Sequence, residues 1–222
     1  MSKLYVNPLP VRVWHWTNAL LFIVLIVTGV QIRYLDLFNL MSFRTAVVVH
    51  NWAGFGLIAT FFIWLLFYLS SDTRRNYHPE FNIIKLADSS FRQMMYYGCG
   101  MFKGERSPHH IDPYHKFNPL QRMLYQILML FLLPLQFFTG LLMWDVKRFS
   151  SVIDMVGGLR VVDTVHVLIF IFFVFYMCFH PYLATLGHTP MAHIKAMITG
   201  YEDADEEHAE GAAPMPVVPQ SA

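Results

Sequence analysis

Four histidines, His15, His50, His166 and His180, lie inside or at the edges of long apolar stretches. An ionisable side chain there is costly and marks a functional position by default. A neutral imidazole keeps one nitrogen lone pair and is the commonest protein ligand for transition metals. The other seven of the eleven histidines (His78, His109, His110, His115, His188, His193 and His208) fall in polar segments, where solvation accounts for them. The run from Pro108 to His115 holds metal-capable side chains, but its spacing matches no zinc pattern. It reads as a solvated loop able to relay protons.

The elements that must position the four histidines follow from composition. Of 222 residues, 55% are hydrophobic and only 14% charged, well below a soluble domain. Four apolar runs, about 13–32, 46–69, 120–144 and 161–184, each have the roughly 20 residues that a helix needs to cross a ~30 Å hydrocarbon layer. The expected fold is an all-α membrane protein, a four-helix transmembrane bundle. The first run carries Trp14, His15, Trp16 and Asn18 where a signal peptide would be basic, and no cleavage site follows it, so it reads as a retained helix. The connection 70–118 is long, and within it 81–102 mixes apolar and basic residues like a helix lying on the membrane surface. Residues 1–201 form the expected membrane domain. The acidic and then Ala/Pro-rich 202–222 lacks the apolar content to fold. No internal repeat stands out.

Basic residues set the orientation. Lys3, Arg12, the seven Lys and Arg between the second and third runs, Arg122 at the start of the third and Lys195 make eleven on one side; Arg33, Arg44, Lys147, Arg148 and Arg160 make five on the other. Both termini are therefore expected in the cytoplasm. A net charge of +1 gives no sign of nucleic-acid binding. The two cysteines, Cys99 and Cys178, form no C-x-x-C pattern, which excludes a disulfide framework and a covalently attached c-type haem.

This topology pairs the histidines by depth. His15 opens the first helix and His180 closes the fourth, so they share the cytoplasmic side; His50 and His166 open the second and fourth helices from the other side. His166 and His180 are fourteen residues apart, four turns less about 40°, so they look one way about 21 Å apart along the axis. Two imidazoles per site without carboxylate or thiolate suit bis-histidine ligation of haem iron better than zinc, which wants four ligands. Two haems in the core of the bundle are expected. A single such histidine is as well explained by packing against a neighbouring helix, but four matched in depth are not. Gly29, Gly54, Gly56 and Gly140 offer room beside a macrocycle, or simply close helix packing. Arg12, Arg33, Arg44, Arg122, Arg148 and Arg160 are candidates to pair with haem propionates. Trp14, Trp16, Trp52 and Trp144 fit an interfacial aromatic belt.

Pro10-Val-Arg-Val-Trp-His15-Trp-Thr, Val49-His50-Asn-Trp-Ala-Gly54 and the two histidines fourteen apart resemble the di-haem cytochrome b subunits of membrane-bound formate dehydrogenases, nickel-iron hydrogenases and thiosulfate reductases, in the bacterial cytochrome b561-like superfamily. The resemblance covers roughly 5–201. It implies two b haems, held by His15 with His180 and by His50 with His166, in agreement with the depth argument. In the formate dehydrogenase members an Asn-x-x-Gln lies at the start of the third helix near a menaquinone; Asn118 and Gln121 match it, although Pro119 and Leu120 replace the small residues between. The resemblance implies a membrane-anchoring, quinone-reactive subunit in the bacterial inner membrane. It would carry electrons between a periplasmic iron-sulfur or multihaem partner and menaquinone or ubiquinone, the main catalytic chemistry residing in another subunit. Two other readings stand beside it: a stand-alone cytochrome b561-like quinone oxidoreductase, and a haem-free transporter or anchor.

Overall fold

Helix α1 (Leu9–Arg33) starts with proline in its first turn, where the missing N–H breaks no hydrogen bond. A computed structural model describes residues 2–36, 38–70, 81–105, 118–185 and 191–204 of the chain. Helix α2 (Phe43–Ser70) packs antiparallel along α1. The turn between them is stapled by Gln31, which is fully buried: its amide nitrogen donates to the Met41 carbonyl, and its oxygen accepts from the backbone N–H of Leu40 and Met41. A buried amide with its polar atoms satisfied fixes a turn far better than an apolar contact would.

The third crossing, Pro119–Trp144, is built from α4 (Pro119–Ile127), a π turn (Leu128–Leu132) and α5 (Leu133–Trp144). The widened turn comes just before Pro134, which cannot donate to the carbonyl one turn back. A short helix, α6 (Ser150–Met155), leads through Gly157 and Gly158, both at positive φ, into α7 (Leu159–Ala184). Helix α7 packs on α5, and α5 also touches α2. These four crossings are each long and apolar enough to span a membrane, in agreement with the four expected runs, which they extend by a few residues at their ends. Few of their side chains are buried within the chain. The exposed ones, such as Leu20, Ile63, Leu66, Phe131 and Phe175, are the apolar groups a lipid-facing surface requires.

Leu57, Trp64, Leu128, Met129, Leu133, Ile169 and Phe173 form the core at the middle of the bundle. Phe22 meets Phe173 edge-on, with ring centres 5.1 Å apart. A smaller cluster of Leu142, Ile153 and Val162 seals the far end under α6.

At the termini end, strand β1 (Ser2–Tyr5) pairs antiparallel with β2 (Tyr201–Ala204), and α8 (Ala192–Thr199) lies against the start of α1. Asn7 donates to the Ala196 carbonyl, Trp16 to that of Met197 and Arg12 to that of Ile198. The boundary expected at 201/202 thus falls inside β2, and the remainder of the tail lies outside the described residues. So do the 108–115 loop and most of the polar-segment histidines.

Helix α3 (Ile83–Met95) is capped by Asn82, whose side chain accepts from the Lys85 N–H. It has three faces. Ser90 and Gln93 are buried against α4, where the Ser90 hydroxyl donates to the Pro119 carbonyl. Ile84, Phe91, Met94 and Met95 are exposed. Asp88 and Arg92 pair at 3.0 Å on the remaining face. Polar residues inside and apolar residues outside invert the rule for water, and suit a helix whose outer face meets lipid at the interface.

Candidate haem site

The structure brings the four histidines together as two pairs. His15 of α1 and His180 of α7 have ring centres 6.0 Å apart; His50 of α2 and His166 of α7 have ring centres 6.4 Å apart. Two metal–nitrogen bonds of about 2 Å plus two ring radii sum to about 6 Å, so each pair has the spacing that one shared iron needs. Among the described residues no three His, Cys, Asp or Glu come together, so neither pair has the extra protein ligands of a structural zinc.

Around His50 and His166 the neighbours are specific. Thr28 Oγ1 lies 2.9 Å from His50 Nδ1, and Thr139 Oγ1 lies 2.9 Å from His166 Nδ1. Both threonines are almost completely buried, 1% and 3% exposed. The Gln136 amide nitrogen sits 3.1 Å from His166 Nε2, and its buried Oε1 has no hydrogen-bond partner. A haem at this pair would displace that amide from the ligating nitrogen, and a glutamine side chain has the rotamers to swing aside. The glycines take definite places. A Cβ on Gly29 would stand 3.5 Å from His50 Cε1, and one on Gly140 would stand 3.3 Å from His166 Cε1. Gly54, one turn from His50, faces open space, as a macrocycle beside that ring requires. Gly56 instead accommodates Leu21, an ordinary helix contact.

The other pair is framed by aromatic rings. Tyr176 stacks on His180 with centres 5.2 Å apart, its hydroxyl 3.4 Å from His180 Nδ1, and Trp16 meets His15 edge-on. Pro181 follows His180 directly and removes one N–H from the last turns of α7. Trp14 faces inward: its indole N–H donates to the Thr60 carbonyl across the α1–α2 contact. Trp16, Trp52 and Trp144 are exposed, as an interfacial belt requires. Among the candidate propionate partners, Arg33 lies 3.4 Å from Asp163.

Asn118 and Gln121 form a capping box at the start of α4. The Asn118 side chain accepts from the Gln121 N–H at 2.8 Å, while the Gln121 side chain accepts from the Asn118 N–H at 3.1 Å. The same Asn-x-x-Gln spacing that matches the quinone motif is therefore also a helix-start signature. The Asn118 amide donates to the Tyr97 hydroxyl at 3.1 Å. Burial pushes the Tyr97 phenol up from its ordinary value, opposed by hydrogen bonds from Gln93 and Asn118, so Tyr97 keeps its proton at neutral pH.

Thr28, Thr139 and Gln136 escaped the sequence reading. Their signal was a polar side chain inside an apolar span, twice followed by glycine: Thr28-Gly29 and Thr139-Gly140.

The chain is similar to known proteins. Residues 6–200 match the family model described as Prokaryotic cytochrome b561. A protein of Escherichia coli (strain K12) named "Putative cytochrome YdhU" is 35% identical over 203 residues, which cover 90% of this chain and 75% of that protein. With nearly the whole four-helix region matched, the chain belongs to the prokaryotic cytochrome b561 family, integral inner-membrane proteins that bind haem b.

Proposed function

We propose that this chain is the membrane-anchoring cytochrome b subunit of a respiratory oxidoreductase complex. In this reading it carries electrons across the membrane, between a periplasmic redox subunit and menaquinone or ubiquinone, through two b haems. The observation that carries it is the placement of one histidine of each pair on α7, His166 toward one membrane face and His180 toward the other. A single rigid helix then sets the distance between two redox centres, about 21 Å along its axis.

His15 and His180 would hold the haem on the cytoplasmic side, and His50 and His166 the one on the periplasmic side, with both termini cytoplasmic and residues 1–201 as the membrane domain. Each bound haem supplies one-electron redox chemistry. The chain does the rest. The core around Ile169 and Phe173 lies between the two pairs and excludes water, so electrons can pass where protons cannot. Asn118, Gln121 and the protonated Tyr97 lie on the side of the His15–His180 pair, at the start of α4, where a quinone could meet both hydrogen-bond donors and the bilayer interface. The exposed apolar face of α3 holds this layer against the lipid.

The test is to purify the chain in detergent from its native membrane and measure haem per polypeptide and reduced-minus-oxidised spectra before and after adding a menaquinol analogue. Two b haems reduced by the quinol, with a stoichiometric partner subunit retained, are expected. Two haems without a partner would instead favour a stand-alone quinone oxidoreductase. A protein without haem would return the histidines to packing.

A further inference from the structure

We propose that Thr28 and Thr139 are positioning residues, each acting with the glycine that follows it as a clamp that holds His50 or His166 with Nδ1 protonated and Nε2 free to bind iron. The proposal rests on the reading of those two histidines as haem ligands.

A threonine hydroxyl has one proton to give. The Thr28 hydroxyl lies 2.7 Å from the Val24 carbonyl, and the Thr139 hydroxyl lies 2.9 Å from the Leu135 carbonyl, each one turn back on its own helix. Donation along the helix in this way is a common habit of threonine within apolar spans. With the proton so placed, the oxygen can only accept from the imidazole 2.9 Å away, so Nδ1 carries the hydrogen and Nε2 the lone pair.

The glycine completes the grip. A Cβ added at Gly140 would lie 3.3 Å from the His166 ring, tighter than usual, and one added at Gly29 would lie 3.5 Å from the His50 ring, in ordinary contact. The arrangement occurs twice, once between α1 and α2 and once between α5 and α7, with the same two residue types in the same order. At the other pair, the group beside His180 Nδ1 is the Tyr176 phenol of its own helix, at 3.4 Å. An Nδ1–H donated to an oxygen makes a ligating imidazole more basic, which stabilises ferric over ferrous iron.

The experiment uses the purified haem-loaded protein and its Thr28→Val, Thr139→Val, Thr28→Ser and Thr139→Ser variants. The readouts are redox titration of both haems, low-temperature spectra of the low-spin ferric signals, and haem release on dilution. Thr28→Ala and Thr139→Ala remove the hydroxyl by truncation, so the result does not depend on valine being tolerated. In the Val and Ala variants one of the two midpoint potentials should rise and its ferric signal should shift. That haem should also be released roughly tenfold to a hundredfold more readily, the usual scale for losing such a support. The other haem should stay unchanged, and the Ser variants should match the wild type. Unchanged potentials and spectra in the Val and Ala variants would overturn the clamp, as would Ser variants displaced as far as Val. A shift confined to the haem that survives in His50→Ala would overturn it too. Wild-type protein without haem would strike the ligand assignment itself, a failure distinct from any of these.

Discussion

The two histidine pairs have nearly equal spacing but are built from different materials. Around His50 and His166 the supports are hydroxyls and bare glycine backbone reaching from neighbouring helices, deep between α1, α2, α5 and α7. Around His15 and His180 they are aromatic rings and the terminal layer of α8, β1 and β2. A hydroxyl at 2.9 Å fixes both the orientation and the tautomer of an imidazole, whereas the Tyr176 hydroxyl at 3.4 Å from His180 Nδ1 holds that ring more loosely. The first pair is thus suited to a fixed relay. The second lies at the end of the bundle where β1, β2 and α8 close on the start of α1.

Removing a ligand tests this contrast most severely. His166→Ala should leave one haem per chain, as should His50→Ala, and both variants should keep the same surviving spectrum. His15→Ala and His180→Ala should each keep the other. Pyridine haemochrome analysis gives the count and the spectrum identifies which haem remains. Two haems in any of the four variants, or different survivors in His50→Ala and His166→Ala, would break the pairing.

Next in size is the approach of the glycines. The β-carbon of Gly140→Ala would be tighter against His166 than ordinary contacts allow, while that of Gly29→Ala would sit at a normal van der Waals distance from His50. Overpacking of this kind costs about 1–3 kcal/mol. Gly140→Ala should therefore lower the haem-retention temperature by more than Gly29→Ala does. Equal effects at Gly29 and Gly140 would mean that the ring at His166 yields as easily as its partner.

The other end is probed through its helix cap. Asn118→Ala removes the acceptor for the Gln121 N–H and the donor to Tyr97. Loss of an N-cap costs about 1 kcal/mol. Asn118→Asp keeps the cap acceptor and discards only the donor. If the residue acts on quinone as well as on α4, haem reduction by the quinol should fall in both variants while thermal stability falls chiefly in the first. If both measurements follow stability alone, the cap is its whole role.

How much of this was legible in the sequence depended on which physics set the signal. The four crossings announced themselves because lipid demands about 20 apolar residues per helix, and the depth pairing of His15, His50, His166 and His180 followed from topology alone. The Thr-Gly supports were hidden, since single threonines are unremarkable in apolar helices and only their facing a histidine of another helix gives them meaning. The Asn-x-x-Gln spacing could be read two ways because one local pattern serves both a ligand and a helix start. Arg33, a candidate for a propionate, also lies near Asp163, a contact that depends on tertiary neighbours and not on spacing.

That last contact also supplies the smallest expected effect. Arg33 of α1 and Asp163 of α7 close the bundle near His166 by charge, where the threonines deeper in act by hydroxyl contact. Their separation is 3.4 Å, but their side chains are 52% and 35% exposed, so water and salt screen the pair. Exposed ion pairs are typically worth under about 1 kcal/mol. A double-mutant cycle of Arg33→Gln and Asp163→Asn, read by thermal unfolding at two salt concentrations, should therefore give a small coupling that shrinks with salt, with both haem spectra unchanged. A salt-insensitive coupling of several kcal/mol would show that charge, and not buried hydroxyls, holds this end together, and the distinction between the two pairs would have to be drawn elsewhere.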